Sequence, residues 1–147
     1  MKFSVRPGQG DPSGFDLGEM VWTGDFGDAS SIGHIPDQGM MIYPSVTLLL
    51  DSLAALLNGR DRVLNFTGVG TSFGIVFRRS NKEISVSSRN KLIARVSQDE
   101  LARSVLLAAE ELATASLAQL PEQDAVRADY RAALNDFRAL AEGSATG

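Results

Sequence analysis

The sequence predicts an α+β fold: an antiparallel sheet of five or six strands packed against one helix and a C-terminal helical hairpin. Three observations carry that prediction. Between Arg62 and Val96, apolar and polar residues alternate in short runs divided by turn formers, which is the period of half-buried strands. Ahead of that stretch a leucine-rich stripe repeats at helical spacing. Behind it lie two more helical stripes, separated by Pro121.

Taken in order, Lys2–Arg6 alternates Phe3 and Val5 with polar neighbours and predicts a strand. Residues 7–14 are dense in Gly and Pro and predict a loop. A second strand is expected over Asp16–Trp22. Thr23–Gly39 shows neither period and is expected as a long loop, the kind of connection that often carries function. Met40–Tyr43 fits either a short strand or an added helical turn. Pro44 suits a helix start, and Val46, Leu49, Leu50, Leu53, Leu56 and Leu57 form its buried stripe, with Gly59 as its stop.

Four strands are then expected, at Arg62–Phe66, Ser72–Arg79, Glu83–Ser88 and Leu92–Val96, as an antiparallel meander with one wet face. Ser97-Gln98-Asp99-Glu100 fits a capping box, so a helix should begin there. A last helix is expected from about Gln123 to Glu142, closing a single domain over 1–142, with 143–147 as a frayed tail. The expected core is Leu49, Leu53, Phe66, Phe73, Ile75, Phe77, Val86, Leu101, Val105, Leu112, Tyr130, Leu134 and Phe137.

Composition removes several function classes. With no cysteine, the chain has no disulfide scaffold, thiolate metal site or cysteine nucleophile. A single histidine, His34, rules out sites built on two imidazoles. The longest apolar runs fall far short of the ~20 residues of a membrane span. The first residues, Met1–Pro7, lack the apolar stretch of a secretory signal, so a cytoplasmic location and no membrane partner are expected.

The net charge of −4 argues against a surface devoted to nucleic acid. That charge is segregated: −5 over 1–58, +6 over 59–97 and −5 over 98–147. Basic strands lying beside acidic helices would neutralise one another, and a docking surface for a charged partner would give the same segregation.

Motifs for catalysis lack their contexts. Gly70-Thr71-Ser72-Phe73-Gly74 matches the G-x-S-x-G nucleophile elbow, which needs a helix after the serine, whereas Ile75-Val76-Phe77 reads as a strand. The same glycines lack the lysine of a phosphate loop. Asp25, Asp28, His34 and Asp37 share the long loop but fit no metal-ligand spacing, so no metal and no cofactor are expected. Arg78, Arg79, Arg89 and Arg95 could track phosphates, but exposed aromatics for base stacking are missing from that stretch.

Asp37–Tyr43, then Leu48-Leu49-Leu50-Asp51, then Ser72–Phe77 ahead of a basic hairpin, taken in that order, carry a likeness. The chain resembles small proteins of high-GC bacteria that include the immunity proteins of polymorphic toxin systems. The likeness spans roughly residues 15–140 and lies in structural residues, with no functional motif among them. What it implies is a non-enzymatic, cytoplasmic, acidic protein that inhibits a cognate toxin by covering its active site.

The residues and the resemblance together give one expectation: a non-catalytic protein-binding module of the immunity type. Trp22 stands immediately before the long loop, and Asp25, Asp28, His34 and Asp37 lie within it. An exposed aromatic ringed by carboxylates is suited to a basic cleft on a partner protein. The same tryptophan could instead be a core residue ending its strand. The arginines of the basic sheet are the other expected docking surface, and a homodimer is a further partner arrangement. The alternative function is a small-molecule-binding or enzymatic domain with a pocket between the sheet and residues 23–39, using His34 and its aspartates.

Overall fold

The computed structural model describes residues 1–146, with side chains as far as Gly143. The fold is α+β, but the strands form two antiparallel sheets rather than one. In the first, β2 (Leu17–Gly24) pairs with β1 (Lys2–Val5), β3 (Gly27–Ser30) and β4 (Met40–Met41). In the second, β5 (Val63–Thr67), β6 (Gly74–Ser80), β7 (Glu83–Ser88) and β8 (Lys91–Ser97) run as the expected meander.

One strand escaped sequence reading, while Met40–Met41 takes the short-strand alternative. Gly27-Asp28-Ala29-Ser30 buries only Ala29, so β3 is held by its backbone pairing to β2 and has almost no apolar pattern. Thr23–Gly39 is therefore a hairpin followed by the shorter connection 31–39, and not one long loop. The extra strands also explain why a single sheet of five or six was not obtained. β2 uses both of its edges within its own sheet, and the tip of the β2–β3 hairpin meets β8 through the Phe26 N–H, which donates to the Ile93 carbonyl at 2.9 Å. At Gly18 any side chain would collide with the Ser4 carbonyl and with Ile42, which fixes how closely β2 lies between β1 and the first helix.

That helix, α1 (Ile42–Leu57), starts two residues before Pro44, which is accommodated in the first turn where backbone N–H groups have no intrahelical partner. α2 (Gln98–Ala115) opens as the capping box predicts, with Ser97 Oγ accepting from the Glu100 N–H at 3.1 Å. A 3₁₀ turn at Leu117–Gln119 and Pro121 then lead into α3 (Ala125–Thr146). The C-terminal pair is not an isolated hairpin, because α3 packs along α1 more extensively than along α2. The Tyr43 and Tyr130 rings meet edge-to-face at 6.1 Å where α1 crosses α3. The Tyr130 hydroxyl donates to the Ala109 carbonyl at 2.7 Å and so ties α3 to α2 as well. Burial raises its pKa far above the ordinary phenol value. Of the tail expected over 143–147, the backbone is helical through Thr146, and Gly147 lies outside the described residues.

All thirteen residues expected in the core are buried. They join Phe3, Met20 and Trp22 from the first sheet in one apolar cluster, so both sheets and the helices share a core. On the α1–α3 seam, Asp51 faces unfavourable surroundings. Partial burial first, then Asp136 and Asp129 of α3, raise its pKa above the ordinary carboxylate value. A raised folded-state pKa costs stability at pH values above it, and the cost disappears as the pH falls below the unfolded value. Asp51→Asn should therefore raise the melting temperature at pH 7 by about 1–3 °C, an advantage that vanishes below about pH 4. Thermal unfolding of both proteins at the two pH values checks this.

Candidate functional site

The residues expected to form a site are split by the structure. Trp22 is only 2% exposed, with its ring 5.5 Å from Phe77 and 6.1 Å from Phe3. It is a core residue where the two sheets meet, and the reading of it as an exposed anchor is corrected. The reason is its strand parity: Trp22 lies on the same face of β2 as Met20, which is also fully buried.

Asp37 belongs to a structural clamp. The Arg6 guanidinium, at the end of β1, donates through Nη1 and Nη2 to the two Asp37 carboxylate oxygens at 2.8 and 2.9 Å. The same guanidinium donates through Nε and Nη2 to Glu19 Oε1 on β2. Glu19 is buried, and its second oxygen accepts from the Ser31 hydroxyl. Arg6, with help from the Gly39 N–H, holds the Asp37 carboxyl well below the usual carboxylate range. The fork of one arginine thereby pins both ends of the 31–39 connection against β2.

His34 is also locally engaged, with Nε2 placed 2.7 Å from the Ser30 carbonyl. That contact puts the hydrogen on Nε2 and leaves Nδ1 as the open ring nitrogen. Asp25 lies at the turn of the β2–β3 hairpin and faces a cavity of about 410 Å³ between β8 and α2. Asp28 and His34, by contrast, line a cleft of about 560 Å³ between the segment and the second sheet. Among the described residues no three acidic or histidine side chains converge as metal ligands do.

What the segment does expose is apolar. Phe26 at the hairpin turn is 55% exposed, Ile32 57% and Ile35 100%, the last preceding a cis bond to Pro36. None of the three lines the cleft. Sequence reasoning missed these residues because an unpatterned loop gives no parity to say which apolar groups face water.

The four arginines of the basic sheet do not form one surface. Arg78 and Arg95 flank Ser85 in one row across the wet face. Arg79 points to the other side, where a guanidinium N–H donates to the Gly59 carbonyl at 3.4 Å. Arg89 occupies the β7–β8 turn and lines the cleft. Phe73 and Phe77 are both buried and give the wet face no stacking platform. No helix among the described residues is long and apolar enough to cross a membrane. Neither a family model, nor a curated protein, nor a solved structure matches this chain, so the likeness to immunity proteins stands on its residues alone.

Proposed function

We propose that the chain is a non-catalytic protein-binding module, an immunity-type inhibitor that docks on a cognate toxin through residues 23–39. The observation that carries this reading is the exposure of Phe26, Ile32 and Ile35 beside Asp25 and Asp28 on one short stretch. Large apolar groups in water are costly to leave uncovered when clustered, and a carboxylate rim directs them to a basic surface. The Arg6 clamp supports the reading further, because a segment pinned at both ends loses little freedom on binding.

The test is co-expression with toxin domains found in reading frames that neighbour its gene, followed by association kinetics at two ionic strengths. Phe26→Ala with Ile35→Ala should weaken binding at least about tenfold, mainly through faster dissociation. Asp25→Asn with Asp28→Asn should slow association and flatten its salt dependence. Asp37 is left intact because its loss would open the clamp. A toxin that remains active beside the chain, or double variants that bind as tightly as the parent, would overturn the proposal. A second reading, a small-molecule-binding or enzymatic domain, is favoured by the cleft itself, whose size lies within the usual range of ligand pockets.

A further inference from the structure

We infer that the cleft between β3, residues 34–38 and the second sheet binds a small organic anion, a carboxylate or phosphate monoester on a short apolar body. This goes beyond protein docking and does not rest on it, since none of Phe26, Ile32 and Ile35 lines the cleft.

The charge argument comes from Arg89 and Lys91. Both stand at the β7–β8 turn on the cleft wall, and neither is paired with a carboxylate among the described residues. The Lys91 side chain runs beside the hairpin turn at Gly27, where a Cβ would lie 3.4 Å from its Cε and 3.6 Å from its Nζ. Two exposed cations on the lining, with Asp28 the one carboxylate beside them there, leave the mouth net positive.

The polar lining argues independently for a ligand. Gln38 lines the cleft, and its side-chain amide makes no hydrogen bond to the described residues, so it is open to a molecule in the cleft. His34 Nδ1, left open by the Ser30 contact, and the Asn65 side chain supply further polar groups on the same walls. Phe66, Phe73 and Ile75 provide the apolar part of the lining. The combination suits a molecule with a charged end at Arg89 and Lys91 and an uncharged body against Gln38 and the aromatic floor.

The experiment is an NMR titration of the whole protein with four probes: benzoate, phenyl phosphate, inorganic phosphate and benzylamine. Saturable shifts are expected for the Gln38 and Asn65 side-chain amides and for residues 89–91 with the two aromatic anions. Whichever of the two binds more tightly identifies the headgroup. Arg89→Gln with Lys91→Gln should weaken that binding at least about tenfold, and Asp28→Asn should tighten it about two- to threefold. The cations are exposed turn residues, so their replacement leaves the core untouched. Benzylamine binding as tightly as benzoate, an unaffected Arg89/Lys91 double variant, or no saturable shift with either aromatic anion would each overturn the inference. Inorganic phosphate matching phenyl phosphate would overturn the apolar half of it.

Discussion

Trp22→Ala should lower the unfolding free energy by about 3–5 kcal/mol, the range for deleting a large aromatic from a packed core. The indole sits at the junction of the two sheets, with Phe3 on one side and Phe77 on the other, inside the shared apolar cluster. Trp22→Phe should cost much less, about 1–2 kcal/mol. The smaller ring keeps the aromatic contacts, and it removes an indole N–H that is buried without a hydrogen-bond partner. Denaturant unfolding of the two variants measures both values. Equal stability of parent and Trp22→Ala would mean that the tryptophan lies at the surface, as an interface anchor would.

Arg6→Met should cost about 2–3 kcal/mol, the next largest effect of a single change, because it strands the buried Glu19 carboxylate with Ser31 as its remaining partner. Part of the loss is pH-dependent in a known direction. The Asp37 carboxyl is held below its ordinary value of 3.8, so its contribution is fully present above that pH and is lost as the pH falls. Parent and variant should therefore differ most near neutrality and converge in acid. Adding Glu19→Leu to Arg6→Met should recover much of the stability, since the uncharged pair leaves no buried charge at position 19. Failure of that recovery would show that the arginine acts through Asp37 and not through Glu19.

The elements that could be read from sequence are those whose own side chains determine them. Leu49, Leu53, Phe77 and Tyr130 sit in strong periodic patterns, and burial follows from pattern alone. The Ser97 cap is equally local, a side chain and a backbone N–H three residues apart. β3 is determined by what β2 presents, and its small polar residues carry no record of that pairing. The site shows the same division. Asp28 and His34 do reach a cleft facing the sheet, but Asp37 is captured by an arginine 31 residues away, a partnership with no sequence signature. Trp22 could be read either way from composition, and only its parity with Met20 decides.

The contrast between the meander and α3 has a consequence for synthesis. β5–β8 are joined by short turns, so that sheet can close on itself as soon as residue 97 is available. The α1 face that carries Tyr43 waits for Tyr130 and its neighbours. The Gly14 N–H likewise waits for the Asp124 carboxylate, 110 residues later, with which it forms a 3.1 Å hydrogen bond. A chain growing from its N-terminus therefore carries a nearly finished sheet and an uncovered leucine-rich helix side by side until the last helix is made. During that interval the most adhesive surface of the protein is one that the finished molecule never shows.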